Sequence, residues 1–148
     1  MPAATKTRSL VDQELTTRLR LAVGRLARRL RQQADPDVTP SMLSALSNIE
    51  YRQPVTLGEL AQAERVTPPT MTKIVSRLEE RGLVVRVADP SDRRVHRISL
   101  STEGERFAAR SKRRKNAYLA KMLRKLDADE VAKLEAAVEV IEKILERK

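Results

Sequence analysis

Two short stretches of the chain combine cations with small hydrogen-bonding side chains, a set of groups suited to an anionic partner. The first stretch contributes Pro69, Thr70, Thr72, Lys73, Ser76 and Arg77. The second is the tripeptide Asp92, Arg93 and Arg94. Hydroxyl, ammonium and guanidinium groups donate hydrogen bonds to phosphates and to base edges, and arginine does so through a bidentate fork. These nine residues are the candidate nucleic-acid-binding residues.

The overall charge supports an acidic partner. The 148 residues include 30 Lys and Arg against 20 Asp and Glu, which gives a formal net charge of +10. By segment, residues 1–34 carry +6, residues 35–66 carry −3, residues 67–117 carry +7 and residues 118–148 are neutral. Only Tyr51, Phe107 and Tyr118 are aromatic, too few for the stacking surfaces that bind single strands. Double-stranded DNA is therefore the predicted partner.

Several other classes of site are excluded by composition. The chain has no Cys, which rules out disulfides, thiolate metal sites and a thiol switch, and its one histidine is His96. The longest apolar run is residues 117–120, far short of a membrane span. We therefore expect a cytoplasmic protein with no cofactor, no metal site, no membrane contact and no catalytic residues.

Helical periodicity marks the two ends of the chain. Residues 1–8 lack it and are predicted to be a disordered N-terminus. Residues 9–34 form an amphipathic helix whose apolar stripe is Val11, Leu15, Leu19, Ala22, Leu26 and Leu30. Residues 102–148 contain two more helices, the first opened by a capping box at Thr102 and the second by Asp127. The last helix has apolar residues at spacings of three and four.

The middle of the chain, residues 39–101, predicts a DNA-binding module. Thr39 and Thr67 each precede a proline, which is typical of a helix start, and a capping box begins at Thr56. The helix over residues 67–81 has one apolar face and presents the first candidate stretch on the opposite side. Period-two runs at residues 83–88 and 95–100 then predict a β-hairpin with Arg93 and Arg94 at its tip. Asp92 could accept the Arg94 guanidinium and hold it extended.

The expected fold is thus mainly α with a small β-hairpin wing: a winged helix-turn-helix module plus a helical dimerisation region. A recognition helix would enter the major groove and the basic tip would meet the narrow minor groove. His96 falls on the second wing strand, where phosphate contact and plain exposure are both open. The run of cations at residues 112–115 cannot face one side of a helix, so a solvated patch is favoured over a phosphate contact.

The sequence resembles the MarR family of bacterial transcription regulators from about residue 10 to residue 146. The resemblance is carried by LGELAQAERVTPPTMTKIVSRLEERGLVVRVADPSDRRVHRISLSTEG, above all by its DxR-type wing motif. Two departures are Ser101, where the family usually has Thr, and the paired Pro68 and Pro69, which leave fewer N–H donors at the start of the recognition helix.

The resemblance implies an obligate homodimer formed by the first helix and the last two helices of both subunits. A two-fold dimer would set its recognition helices about 34 to 36 Å apart on an inverted repeat. Family members commonly bind a small aromatic or amphipathic anion beside the winged module and then release DNA. The function implied is that of a repressor, and the alternative is a nonspecific architectural DNA-binding protein, which needs charge but no operator. An enzyme is disfavoured because no nucleophile, paired carboxylates or phosphate loop is placed for catalysis.

Overall fold

Within residues 3–146 the chain forms six helices and a three-stranded sheet. The computed structural model describes the backbone of residues 3–146 and the side chains of residues 13–146. The elements are α1 (Ala3–Arg31), α2 (Pro40–Arg52), β1 (Val55–Thr56), α3 (Leu57–Glu64), α4 (Pro68–Glu80), β2 (Val84–Ala88), β3 (His96–Leu100), α5 (Thr102–Leu123) and α6 (Ala128–Glu146). The predicted class, mainly α with a small β wing, is confirmed.

The first helix begins earlier than the sequence pattern predicts. Residues 1 and 2 lie outside the described part of the chain, and α1 begins at Ala3, six residues before the helix start that the periodicity predicts. This stretch has no apolar stripe, yet it contains Ala, Lys and Arg, which are good helix formers. Extending an existing helix costs far less than nucleating one, and the following turns supply the nucleus.

Helix starts in the module follow the predicted capping chemistry with one exception. The Thr39 hydroxyl accepts from the N–H of Met42 at 3.3 Å. Thr56 and Glu59 form a complete capping box, and the Thr56 N–H holds the pKa of the Glu59 carboxyl below its usual range. The exception is Thr67, whose side chain caps no backbone N–H. Prolines at the first two positions of α4 remove two of the donors that would need a cap.

The start of α5 lies one residue before the predicted capping box. Ser101 is the N-cap, and its hydroxyl accepts from the N–H of Gly104 at 2.9 Å, so the cap assigned to Thr102 is wrong. The reason is that Ser101 keeps an extended backbone next to β3 and also bonds the carbonyl of Gly82. At the last helix the prediction is confirmed, because Asp127 and Glu130 cap each other's backbone N–H.

The sheet has one more strand than the predicted hairpin. Its order is β1-β3-β2, and all pairs are antiparallel. The register pairs Val55 with Ile98 on one side and Arg86 with Ile98 on the other. Two residues are too short to show period-two alternation, so β1 had no signal in the sequence.

The hydrophobic core lies inside the winged module, between α2, α3, α4 and the sheet. Ile49, Leu60, Met71, Leu78, Ile98 and Val75 are its largest fully buried side chains. Helix α5 closes the core through Ala108 and Phe107. Helix α6 contributes no buried residue, and the apolar side chains of α1 from residue 15 to residue 26 include several that are exposed. The core therefore fixes the module and leaves both chain ends outside it.

Candidate nucleic-acid interface

Helix α4 is oriented by its buried face. Met71, Val75 and Leu78 are fully buried against the rest of the module. Because these residues share one side of the helix, the opposite side faces solvent. It presents five of the predicted residues, which are Pro69, Thr70, Thr72, Lys73 and Arg77. This arrangement is the one expected of a recognition helix that follows α3 across a tight turn.

The two threonine hydroxyls on the exposed side already have partners in the helix. Thr72 donates to the carbonyl of Pro68 at 3.0 Å. The hydroxyls of Thr70 and Thr67 are 2.9 Å apart. A hydroxyl that donates within the helix still has lone pairs to accept a hydrogen bond, so these side chains can meet donor groups on base edges.

Ser76 is placed differently from the prediction. Its side chain is half-buried, and the Arg86 guanidinium donates to its hydroxyl at 3.4 Å. The sequence pattern predicted Ser76 on the solvent side of α4. Helical periodicity describes one helix only and does not show that β2 packs beside this residue. Ser76 is therefore part of the contact between α4 and the wing.

The wing is joined to the recognition helix by an ion pair. Nε of Arg86 in β2 lies 2.9 Å from Oε2 of Glu79 in α4, and both side chains are largely shielded from solvent. Arg81 and Asp37 form a second ion pair between the end of α4 and the α1–α2 connection, at 3.6 Å. Gly82, with φ of 67°, follows α4 in the left-handed conformation that glycine readily adopts after a helix, and β2 begins two residues later. Helix and wing are thus held in one orientation.

The tip of the wing is shaped by two aspartates. Asp92 accepts the backbone N–H of Arg94 at 3.0 Å, rather than the guanidinium that the sequence reading assigned to it. An aspartate in a turn readily accepts an N–H two residues ahead, and this local bond competes with a side-chain pair. Asp92 therefore fixes the backbone of the tip and leaves the side chain of Arg94 exposed.

Asp89, immediately after the end of β2, is a residue that does not belong to the predicted site. Its carboxylate accepts the N–H of Ser91 at 2.8 Å and the Nε–H of Arg97 at 2.6 Å. The bond from Ser91, followed by the one from Arg97, holds the pKa of Asp89 below its usual range. Arg97 therefore forms an ion pair inside the wing. The Asp-Pro-Ser sequence was the available signal for the turn.

On α4 and at the wing tip, four exposed cations form no ion pair with any described residue. They are Lys73, Arg77, Arg93 and Arg94. Unpaired cations keep their full capacity for phosphates and base edges. His96 lies exposed at the start of β3, and among the side chains of residues 13–146 no group of acidic or histidine residues could hold a metal ion. The surface is therefore suited to binding an anionic polymer.

The run of cations on α5 is divided among different faces, as its spacing predicts. Lys112 pairs with Glu50 of α2 at 2.7 Å, Lys115 is half-buried, and Arg113 and Arg114 are exposed. No helix in the described part of the chain is long and apolar enough to cross a membrane.

Comparisons with known proteins agree with this geometry. The MarR family model matches residues 38–96, which cover α2 through the wing. An uncharacterized HTH-type transcriptional regulator of Mycobacterium leprae is 35% identical over 136 residues, 91% of this chain and 95% of that protein. The chain belongs to the MarR family. MarR family proteins are DNA-binding transcriptional regulators, so the predicted class is confirmed.

Two further relatives extend the likeness. The HTH-type transcriptional repressor MdtR of Bacillus subtilis is 31% identical over 113 residues, 72% of this chain and 73% of that protein. A crystal structure of a transcriptional regulator from Pseudomonas aeruginosa superposes with a TM-score of 0.83 at 35% identity, covering 93% of this chain and 97% of that chain. The MarR fold therefore includes the terminal helices as well as the module.

Proposed function

We propose that this MarR family protein is a sequence-specific repressor that binds an inverted repeat in double-stranded DNA as a homodimer in the cytoplasm. The observation that carries the proposal is the set of four unpaired cations on α4 and the wing tip, held on one rigid module by the Glu79–Arg86 pair. Lys73 and Arg77 would read base edges, with Pro69, Thr70 and Thr72 beside them in the groove. Arg93 and Arg94, with the tip set by Asp92, would contact phosphates or the minor groove.

The terminal helices support the homodimer. Leu145 of α6 is 77% exposed and Leu15 of α1 is 61% exposed, although both belong to regular apolar stripes. Exposed stripes on this scale are typical of surfaces that pack against another chain. In a two-fold dimer the two copies of α4 would be about one turn of DNA apart.

A cleft beside the module supports an effector. It has a volume of about 40 Å³ and opens to solvent between α2 and α5. It is lined by Leu43, Leu46 and Phe107 together with Lys115 and the Lys112–Glu50 ion pair. The Ser111 hydroxyl on its wall is buried and has no hydrogen-bond partner among the described residues. Apolar walls, a lysine and an unpaired hydroxyl are the groups that would bind a small aromatic carboxylate. Binding would lower DNA affinity only if the cleft differs between the free and DNA-bound shapes.

The DNA-binding proposal is tested by selection from random duplexes, followed by titration of the selected and the random DNA. Lys73→Ala and Arg77→Ala should each weaken binding to selected DNA by about 1 to 3 kcal/mol and random DNA much less. Arg94→Ala should weaken both and reduce the salt slope by about 0.9. Arg113→Ala, which removes an exposed cation outside the module, is the matched control and should change neither.

The outcome of the selection separates the two classes of DNA-binding protein. An enriched inverted repeat is expected of the regulator. If no sequence is enriched and all four variants lose affinity equally on every duplex, the protein is architectural. Repression is checked with a reporter whose promoter overlaps the selected site, where added protein should lower transcription.

The effector proposal is tested with benzoate as the probe. Titration calorimetry should detect benzoate but not benzylamine, its cationic counterpart, and benzoate should reduce affinity for the selected DNA. Lys115→Ala should weaken benzoate binding, and Arg114→Ala, an exposed neighbour outside the cleft, should not. Equal binding by the two variants would contradict the assignment of the cleft.

A further inference from the structure

The last helix carries a row of carboxylates beside its apolar stripe. Glu135, Glu139, Glu142 and Glu146 follow one another at spacings of four, three and four residues, all of them exposed. This spacing puts them on one line along α6. Each lies one position after a member of the apolar stripe Leu134, Val138, Ile141 and Leu145, so the row runs along one edge of the apolar face. None of the four forms an ion pair with another described residue.

The first helix carries the complementary row. Between residues 13 and 31, α1 has six arginines and one acidic residue, Glu14. Arg18, Arg25 and Arg29, at spacings of seven and four, lie along one edge of the stripe formed by Leu15, Leu19 and Leu26. All three arginines are exposed, and none is in an ion pair with a described residue.

Both rows therefore border apolar faces that the single chain leaves open. Leu19 and Leu26 are each 38% exposed and Val138 is 44% exposed. An apolar stripe with charges of fixed sign along its edge is how helices select partner and orientation, as at the flanking positions of coiled coils. The charges of the two rows are opposite, which favours a pairing between α1 and α6 over pairing of either helix with itself.

We propose that the row Arg18, Arg25 and Arg29 of one copy pairs with the row Glu135, Glu139, Glu142 and Glu146 of a second copy. The inference rests on the proposed homodimer and adds how one copy recognises a second copy of the same chain. Pairing of the oppositely charged rows sets the orientation of the two copies. A chain whose last helix lacks the acidic row does not form a dimer with this protein. The arginines of α1 then stabilise the dimer and do not contact DNA.

The test uses two charge-reversed full-length chains. One, the α6-reversed chain, has Glu139→Lys and Glu142→Lys, and the other, the α1-reversed chain, has Arg25→Glu and Arg29→Glu. Alone, each brings like charges together, so its dimer dissociation constant in dilute salt should rise at least about tenfold. Mixed in equal amounts, they should form a heterodimer with nearly the affinity of the unaltered protein, because both of its row pairings are again opposite in sign. Analytical ultracentrifugation measures both quantities.

Two controls sharpen the result. Asp129→Lys with Ala136→Lys adds positive charge on the far side of α6 and should leave the dimer unchanged. A chain with all four reversals should dimerise with itself and not with the unaltered protein. The mixed heterodimer should bind the selected DNA as tightly as the unaltered protein, since the arginines of α1 are not DNA contacts.

The outcomes distinguish the inference from the proposed function. If the unaltered protein is a monomer at micromolar concentration, the homodimer itself is wrong. If it is a dimer and either reversed chain dimerises equally well, or if mixing fails to restore the dimer, the pairing of the rows is wrong and the homodimer stands.

Discussion

The winged module and the terminal helices use apolar residues of the same kinds in opposite ways. Leu60 in α3 is fully buried, whereas Leu145 in α6 is 77% exposed. The module has its own hydrophobic core, while α6 buries no residue in the single chain. The difference teaches that the core of the module is complete within one chain, whereas the apolar stripes of the terminal helices stay exposed in it.

The largest expected effect comes from removing a leucine from each region. Leu60→Ala should lower the free energy of unfolding by about 2 to 5 kcal/mol because it leaves a cavity in the core. Leu145→Ala should change the stability of dilute monomer by less than about 0.5 kcal/mol, since the side chain is exposed there. Urea denaturation at nanomolar and micromolar concentrations measures both. Equal losses of unfolding free energy in Leu60→Ala and Leu145→Ala in the dilute sample would contradict the contrast between the module and the terminal helices.

The next effect contrasts two helical glycines. A Cβ at Gly104 would lie 1.9 Å from the carbonyl oxygen of Leu83, so Gly104→Ala should cost about 3 kcal/mol by forcing the backbone apart. At Gly24 of α1 nothing lies within 4 Å, and Gly24→Ala should stabilise the helix by up to about 1 kcal/mol. The midpoint temperature of thermal unfolding, followed by circular dichroism, should fall for Gly104→Ala and rise for Gly24→Ala. A gain for both would mean that α5 does not approach Leu83 so closely.

The smallest effect separates two N-caps of identical sequence type. Thr39→Ala should cost about 1 kcal/mol because a cap bond to Met42 is lost. Thr67→Ala should cost only a few tenths, about 0.3 kcal/mol, because its hydroxyl caps no N–H. The free energy of unfolding of each variant in urea gives the ranking. The reverse order would show that Thr67 does cap α4.

Elements with a regular apolar spacing over several residues, or with a clear capping or proline signal at their start, were predictable from the sequence. The helices of the module, the wing hairpin and the left-handed Gly82 follow from spacing, Thr-Pro pairs and turn residues, and these are local properties. The two-residue strand β1 was not predictable, because its pairing with β3 depends on how α2 ends. The capping position at Ser101 was also missed, since it is decided by the neighbouring strand.

The candidate site was predictable as a set of cations and only partly as a geometry. Lys73, Arg77, Arg93 and Arg94 are exposed as their positions predict. The placement of Ser76 and the partner of Asp92 were wrong, because each depends on an atom contributed by a neighbouring strand or by the backbone. Sequence spacing predicts which way side chains point from one helix or strand. Contacts between different helices and strands can be predicted only when the fold is known.

The close approach of Gly104 to Leu83 has a mechanical consequence. Gly104 in the first turn of α5 packs directly on the backbone of Leu83, three residues after the end of α4 at Glu80, and the Ser101 hydroxyl adds a hydrogen bond to the carbonyl of Gly82. Because this contact is between backbone atoms, a rotation of α5 would move the end of α4 with it. A force that tilts α5 would therefore rotate the winged module as a rigid body and would not bend it internally.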